Sequence, residues 1–222
     1  MIELVNIKKE YGKKSNIHQV LRNINLKIEK GELIGIMGRS GSGKTTLLNI
    51  IGCMDEITEG LYIYNGKKVN EFSKSKLEKF KKENISFVFQ DFALMNDYTV
   101  YENVELPLII KRLPKKKRKT IIMEQLKELE IEHLAYKYPN QISGGEKQRC
   151  AIARALVTNN ELILADEPTG ALDEKTGEKI MDILININKI GKTVVIVTHD
   201  KEIAKKCNRV IYLKDGVVNN EG

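Results

Sequence analysis

Residues 38–46 read GRSGSGKTT and lie between two apolar stretches, LIGIM at 33–37 and LLNII at 47–51. They match the phosphate-binding pattern G-x-x-x-x-G-K-[ST] at every fixed position. Glycines at 38, 41 and 43 allow the backbone to turn successive N–H groups toward an anion at the start of a helix, whose dipole also favours negative charge. The sequence therefore predicts a loop that binds the phosphates of a nucleoside triphosphate.

Two residues at the end of this loop carry further chemistry. Lys44 is placed to reach the β- and γ-phosphates as a point charge, and the Thr45 hydroxyl is placed to hold Mg²⁺. A flexible glycine and serine linker is the alternative, but a linker needs no lysine and hydroxyl after an apolar strand. The predicted binding loop consists of Gly38, Arg39, Ser40, Gly41, Ser42, Gly43, Lys44, Thr45 and Thr46.

Length and composition are those of one folded domain. The chain has 222 residues, of which 41% are hydrophobic, enough for one buried core with an inserted lobe. No apolar stretch approaches the roughly 18 residues that span a bilayer, and the first residues lack the apolar core of a signal peptide, so we expect a cytosolic chain. The net charge of +7, from 37 basic and 30 acidic residues, permits a nucleic acid or an anionic membrane as partner without requiring either.

The order of the predicted elements indicates an α/β fold. Residues 2–7 and 20–28 alternate apolar and polar side chains, as paired antiparallel strands do, with a lysine-bearing loop between them. Four continuous apolar runs, with helical patterns between them, are typical of buried parallel strands: 33–37, 85–89, 162–165 and 193–197. The sequence therefore predicts a mostly parallel sheet covered on both faces, preceded by an antiparallel β region.

Polar residues follow the predicted buried strands directly. Gln90 follows the second run, Asp166 and Glu167 follow the third, and His199 comes just after the fourth. Ligands gather at the carboxyl ends of parallel strands. We therefore expect these residues to share one site with Gly38.

The acidic pair and the histidine have distinct expected roles. Asp166 is the expected second holder of Mg²⁺, while Glu167 is placed to orient or deprotonate the attacking water. A solvated loop is the alternative for this pair. The position of His199 after a buried strand favours a contact with the γ-phosphate over a packing or capping role.

A basic segment interrupts the helical pattern in the middle of the chain. Residues 111–119 read KRLPKKKRK, and the amphipathic helix that follows is predicted to run from Thr120 to about Glu130. We interpret the basic segment as a solvated and loosely structured face. Contact with anionic lipid or with a protein partner is the alternative.

Four further motifs carry a family resemblance. VFQ at 88–90, ISGGEKQR at 142–149, ADEPTGALD at 165–173 and VTHD at 197–200 resemble, in this order, the motifs of ABC transporter ATPases. The surrounding residues are similar to the ATPase subunits of macrolide and antimicrobial-peptide exporters, lipoprotein-release systems and a related cell-division complex. The resemblance covers essentially the whole chain, and its departures, isoleucine at 142 and glutamate at 146, leave the Ser-Gly-Gly donors in place.

The resemblance implies the ABC ATPase fold, with a single ATP-binding domain over residues 1–222 and a helical subdomain at roughly 91–157 inserted in the core. Tyr11 would stack on adenine, although an ordinary exposed tyrosine at a strand end is the alternative. Gln90 would sense Mg²⁺ and the membrane partner, and Asp173 would join two ATP sites. Four residues that open a helix would face the γ-phosphate of the opposite protomer: Ser143, Gly144, Gly145 and Glu146.

The resemblance also implies cofactors, partners and location. ATP and Mg²⁺ would close a homodimer, and an integral-membrane permease on a separate chain would convert hydrolysis into export or extraction of a peptide, drug or lipid. The chain would lie in the cytoplasm, peripheral on the inner face of the cell membrane. An ATP-driven switch at the membrane without transport has the same motifs and is the alternative. Nucleic acid is not expected, because relatives that act on DNA or ribosomes usually carry long coiled coils or tandem cassettes.

Overall fold

Two β-sheets organise the computed structural model, which describes residues 1–12 and 16–219. The first has four antiparallel strands in the order β2-β1-β4-β5, and the second has six strands in the order β10-β9-β3-β8-β7-β6. The strands are β1 (Ile2–Tyr11), β2 (His18–Ile28), β3 (Leu33–Met37), β4 (Glu59–Tyr64), β5 (Lys67–Lys68), β6 (Ile85–Val88), β7 (Leu162–Asp166), β8 (Thr193–Val197), β9 (Arg209–Lys214) and β10 (Val217–Asn219). Part of the predicted lysine-bearing loop, residues 13–15, lies outside the described residues.

Helices connect the strands of the second sheet. Within the described ranges the α-helices are α1 (Lys44–Ile51), α2 (Lys74–Asn84), α3 (Val100–Ile110), α4 (Lys115–Glu128), α5 (Gly144–Leu156), α6 (Glu174–Lys189) and α7 (Lys201–Lys205). None of these helices is long and apolar enough to cross a membrane.

The second sheet is buried on both faces. Strands β9, β3, β8, β7 and β6 run parallel, and only β10 pairs antiparallel with its neighbour. Along β8, Val194 and Ile196 pack with helices α3 to α6, whereas Val195 and Val197 pack with α1 and the first sheet. Two buried faces explain why such strands read as continuous apolar runs. The predicted fold class, a mostly parallel sheet after an antiparallel β region, is confirmed.

Three helices lie between the neighbouring strands β6 and β7. The residues TVYE at 99–102 have the form of a capping box and predict a helix start, and the first of the three, α3, begins there with Thr99 and Glu102 as the box. The Glu102 N–H donates to Thr99 Oγ1 at 3.2 Å, and the Thr99 N–H donates to Glu102 Oε2 at 2.8 Å. A capping box is a local signal of four residues, which is why the sequence reveals it.

The basic segment is more ordered than the sequence suggests. Helix α4 begins at Lys115, five residues before the predicted start at Thr120, so the interpretation as a loosely structured face is wrong for its second half. Proline is well tolerated at a helix N-terminus, and here Pro114 occupies the position just before the first helical residue. Lysine is also a good helix former, and the buried Ile122 and Leu126 anchor the following turns against the core.

One buried side chain organises the segment before α3. Asn103 is fully buried, and its Oδ1 accepts a hydrogen bond from the Met95 N–H at 2.8 Å. Its Nδ2 lies 3.0 Å from the carbonyl oxygens of Met95, Tyr98 and Thr99. Because buried peptide groups need partners, this one amide determines the path of residues 95–99.

We predict that Asn103→Ala lowers the free energy of unfolding by about 2–4 kcal/mol, since several peptide groups lose their partner at once. Urea unfolding measures the change. Asn96→Ala is the matched control, because Asn96 is an exposed asparagine of the same segment, and its change is expected within about 0.5 kcal/mol. Equal effects of the two substitutions would contradict the role assigned to Asn103.

Candidate functional site

The phosphate loop is a tight connection between the central strand β3 and helix α1. Gly43 precedes α1 with φ of 100°, a left-handed conformation that glycine adopts without the steric cost of a Cβ atom. A Cβ atom on Gly38 would overlap the carbonyl oxygen of Leu213 in β9. The path of the backbone therefore requires glycine at both positions.

Two polar side chains point into this loop. Lys44 is only 8% exposed, and its Nζ donates to the carbonyl oxygens of Gly38 at 2.9 Å and Arg39 at 3.1 Å. The Ser42 hydroxyl is buried and has no hydrogen-bond partner in the described chain. A buried hydroxyl without a partner is costly, and a phosphate oxygen is an acceptor for it. The loop therefore fits an anion.

The C-terminal hairpin supports the phosphate loop from outside. The N–H of Gly216, in the turn between β9 and β10, donates to the Ser42 carbonyl oxygen at 3.2 Å, and the Arg22 N–H of β2 donates to the Gly216 carbonyl oxygen at 2.7 Å. A Cβ atom on Gly216 would overlap the Val20 carbonyl oxygen. No local sequence pattern predicts this contact, because Asp215-Gly216 indicates only a turn and not what the turn touches.

The strand ends meet as the parallel pairing requires. Ile36 of β3 and Asp166 of β7 both pair with Val197 of β8. This register brings the start of α1 next to the acidic strand end, where the Thr45 hydroxyl lies 3.4 Å from Asp166 Oδ1. The two oxygens that the sequence predicts as Mg²⁺ ligands are thus neighbours.

The carboxyl group of Asp166 lies in an environment that disfavours its charge. Burial raises the pKa of Asp166, and the neighbouring Glu167 carboxylate raises it further. The hydrogen bond from Thr45 and the charge of Lys44 oppose this shift only in part. A bound cation would favour the charged form.

Glu167 has an uncommon backbone conformation, with φ of 44°. Its N–H donates to the Val197 carbonyl oxygen at 2.9 Å, and its carbonyl oxygen accepts from the Gly170 N–H at 3.0 Å. His199 Nδ1 lies 3.1 Å from Glu167 Oε2. The turn after β7 therefore aims the carboxylate at the histidine that follows β8.

Gly170 keeps room for Gln90 beside Glu167. A Cβ atom at position 170 would come 3.0 Å from Gln90 Nε2 and 3.3 Å from Glu167 Oε2. The structure thus places Gln90, Glu167 and His199 in one group. Gly170 is not among the predicted site residues, although a glycine within ADEPTGALD is a signal for a close approach of this kind.

Tyr11 ends β1 with its ring 43% exposed. Its hydroxyl donates to Asp55, and the Lys9 Nζ lies 2.5 Å from the same carboxylate and 4.6 Å from the centre of the tyrosine ring. Burial and the Asp55 hydrogen bond raise the pKa of Tyr11, and the adjacent Thr46 side chain lowers it. Tyr11 is therefore held next to the phosphate loop. Asp55 is not among the predicted site residues, because no local sequence pattern indicates its contact with Tyr11.

Ser143 caps helix α5 as the sequence suggests. The Ser143 N–H donates to Glu146 Oε2 at 2.7 Å, and the Glu146 N–H donates to Ser143 Oγ at 3.4 Å. Hydrogen bonds from the Ser143 backbone and side chain lower the pKa of Glu146. The capped helix start leaves Ser143 exposed at the beginning of ISGGEKQR, residues 142–149, which we call the signature motif.

The signature motif and Asp173 lie together. Cβ atoms on Gly144 and Gly145 would approach Leu172 and Thr176 at 3.2 and 2.6 Å, so the helix start packs closely on this loop. Asp173 caps α6 by accepting from the Thr176 N–H at 3.0 Å. Among the described residues, no hydrogen bond joins this second cluster to the phosphate loop of the same chain.

Comparisons with known proteins point to one family. The family model for the ABC transporter matches residues 21–170. An uncharacterized ABC transporter ATP-binding protein of Methanocaldococcus jannaschii is 51% identical over 100% of this chain and 96% of its own length. A solved dimeric structure of the same cassette, in a post-hydrolysis state bound to ADP and Pi, has a TM-score of 0.92 at 49% identity and covers 100% of this chain and 98% of that chain.

Two relatives named as export proteins are also similar. The bacitracin export ATP-binding protein BceA of Halalkalibacterium halodurans is 42% identical over 98% of this chain and 87% of its own length. The macrolide export ATP-binding/permease protein MacB of Mannheimia succiniciproducens is 43% identical over 98% of this chain, which spans only 34% of that relative.

The pKa of Asp166 leads to a stability prediction. Because folding raises this pKa, the folded state binds the proton more tightly, and the charged carboxylate destabilises the fold at neutral pH. We expect Asp166→Asn to unfold at a higher urea concentration than the unchanged chain at pH 7. The difference should shrink as the pH falls through the raised pKa toward the unfolded value of about 3.9.

Asp173→Asn is the matched control for this experiment. Hydrogen bonds from Thr176 lower the pKa of Asp173, so its charged form is favoured by folding and the sign is opposite. This substitution should not stabilise the chain at pH 7. If Asp166→Asn were less stable than the unchanged chain at pH 7, the electrostatic description of the site would be wrong.

Proposed function

Since the chain belongs to the ABC transporter family as an ATP-binding and hydrolysing subunit, we propose that it powers export or extraction of a peptide, drug or lipid-like substrate through a separate membrane subunit. One observation carries the proposal. The phosphate loop and the polar residues that follow the strands lie together at one edge of the sheet. Thr45 lies 3.4 Å from Asp166, and His199 lies 3.1 Å from Glu167. The similar bacitracin and macrolide export proteins support export as the task.

ATP would bind along the loop between β3 and α1. The backbone N–H groups of residues 39–41 and 43–45 and the Ser42 hydroxyl would donate to phosphate oxygens, and Lys44 would leave its two carbonyl partners for the β- and γ-phosphates. The exposed ring of Tyr11, held by Asp55, would stack on the adenine.

Thr45, Asp166 and Gln90 would hold Mg²⁺. Their hydroxyl, carboxylate and amide oxygens are the hard donors that this ion prefers, and it commonly takes one or two protein carboxylates together with phosphates and water. Bound there, the ion would neutralise charge on the phosphates and would favour the ionised form of Asp166.

Glu167 would orient the attacking water and accept its proton. Its backbone carbonyl oxygen accepts from the Gly170 N–H, which holds the turn, and its carboxylate oxygen Oε2 lies 3.1 Å from His199 Nδ1. Nδ1 can donate to Glu167 and Nε2 to the γ-phosphate at the same time only when the ring is the imidazolium, which carries both N–H protons. The pair therefore combines a general base with a group that stabilises charge on the transferred phosphoryl.

A second copy of the chain would complete the site. Ser143, Gly144 and Gly145 lie in a cluster with Asp173 that makes no hydrogen bond to the phosphate loop of the same chain, within the residues that the structure describes. A head-to-tail homodimer would place this helix start on the γ-phosphate of the opposite protomer, with Asp173 between the two sites. The dimeric structure of the similar cassette supports this arrangement.

The membrane subunit would contact the segment that follows Gln90. Residues 91–96 are tied to α5 and α3, because Arg154 donates to the carbonyl oxygens of Phe92 and Ala93 and Asn103 binds Met95. Nucleotide-dependent movement at Gln90 would reach the partner through this segment and the helical subdomain at roughly 91–157. The whole chain, residues 1–222, would act as one ATP-binding domain, peripheral on the cytoplasmic face of the membrane.

The proposal predicts an ATP-dependent dimer of Glu167→Gln. The amide is similar in size but cannot accept a proton, so hydrolysis should fall by about 10²–10⁴-fold. The nucleotide-bound dimer should then accumulate with Mg·ATP, and light scattering should report twice the mass of the monomer. A variant that hydrolyses ATP at the original rate would refute the role of Glu167.

The proposed contact of Ser143 with the γ-phosphate of the opposite protomer can be tested against a matched control. In the Glu167→Gln background, Ser143→Arg should abolish the dimer, because it fills the proposed γ-phosphate contact. Ser73→Arg should not, although Ser73 is likewise a helix N-cap serine, at the start of α2. Loss of the dimer in both variants would indicate general destabilisation. A dimer that persists in both would refute the contact of Ser143 with the opposite protomer.

A further inference from the structure

A basic corner joins α3 to α4, and no role described above uses it. The nine residues 111–119 contain seven lysines and arginines and no acidic residue. We define the basic corner as Ile109, Ile110, Arg112, Lys115, Lys116, Lys117 and Lys119. These residues lie within eleven consecutive positions that include only a short turn between the two helices.

Two of the seven charges have structural partners and are not in the corner. Lys111 Nζ donates to the Thr158 carbonyl oxygen and to Asn160 Oδ1, both at 2.9 Å. Arg118 Nε donates to Glu105 Oε1 at 2.8 Å, which ties the start of α4 to α3. These contacts hold the corner in one conformation.

The other five charges are exposed and have no ion-pair partner among the described residues. The first turn of α4 contains no acidic side chain. Helix α2, which is also rich in lysine, differs in this respect, because Lys81 and Lys79 pair with Glu78 and Glu83 at 2.6 and 3.9 Å. The corner is therefore a concentrated positive surface, whereas α2 presents mixed charges.

Two exposed apolar residues directly precede these charges in the chain. Ile109 is 47% exposed and Ile110 is 55% exposed at the end of α3. Exposed aliphatic residues beside lysines are typical of surfaces that lie in the headgroup region of a bilayer. A surface for nucleic acid would more often offer aromatic rings for stacking, and residues 109–119 contain none.

We propose that the basic corner binds the surface of a bilayer that contains anionic lipids. The five free charges would meet phosphate headgroups, while Ile109 and Ile110 enter the interfacial layer. This contact is a second attachment to the membrane, made by the chain itself, and it requires neither ATP nor a permease. It goes beyond the proposed function and is tested separately from it.

The test is cosedimentation of the full chain, without nucleotide, with vesicles of phosphatidylcholine containing about 30% phosphatidylglycerol. Each lysine near an anionic surface strengthens binding about fivefold, so replacing Lys115, Lys116, Lys117 and Lys119 with glutamine should weaken partitioning at least about tenfold. Binding of the unchanged chain should also fall at high salt and on vesicles of phosphatidylcholine alone.

The control variant replaces Lys74, Lys76, Lys79 and Lys82 of α2 with glutamine. This variant lowers the net charge of +7 by four, as the α4 variant does, and it should retain most of the vesicle binding. Replacing the four α4 lysines with arginine should also retain it, because the charge is kept. An unchanged ATPase rate in every variant shows that the fold is intact.

Three outcomes would overturn the proposal. The first is equal loss of vesicle binding in the α4 and α2 variants, which would mean that binding depends only on the net charge of the chain. The second is no loss in the α4 variant. The third is an α4 variant that loses affinity for duplex DNA while its vesicle binding stays unchanged, which would make the corner a nucleic-acid surface. Because no nucleotide is present, these results are independent of the assignment of Glu167.

Discussion

The parallel pairing of β3 with β8 and of β8 with β7 is the constraint on which the rest of this structure depends. Parallel strands end at the same edge of a sheet, so residues that are far apart in the chain come together there. Thr45 and Asp166 are 121 positions apart and lie within 3.4 Å of each other. Burial of both faces of the sheet holds this edge in place.

Several features of the site are unfavourable when considered alone. Glu167 has a positive φ, burial raises the pKa of Asp166, and the Ser42 hydroxyl is buried without a hydrogen-bond partner in the described chain. Strain and unpaired polar groups persist only where the surrounding structure determines them. Here the sheet and the contacts of Gly216 supply that support. A bound cation would favour the charged form of Asp166, and a phosphate oxygen would accept a hydrogen bond from the Ser42 hydroxyl.

Helix α5 links two surfaces of the molecule. Its first turn carries the signature motif, and Arg154 near its other end holds the carbonyl oxygens of Phe92 and Ala93. The helix rises about 1.5 Å per residue, so its 13 residues separate these two contacts by less than about 20 Å. If the proposed nucleotide contact shifts the start of α5, Arg154 would therefore carry the segment that follows Gln90 along with the helix.

The sequence by itself determined the phosphate loop, the buried strands, the capping box at Thr99, the helix that follows Ser143 and the polar residues at the strand ends. These signals are local, since each depends on residues a few positions apart or on a repeat of two or of about 3.6 residues. The parallel strand arrangement followed from them, because continuous apolar runs require cover on both faces.

Only the tertiary structure decided which distant groups support the site. Gly216 against Ser42, Asp55 against Tyr11 and Arg154 against Phe92 join segments that no local pattern relates. The start of α4 at Lys115 also depended on distant packing, because Ile122 and Leu126 anchor a helix whose first turn is entirely basic. Contacts of this kind arise from how elements pack, and the same residues in another fold would meet other neighbours.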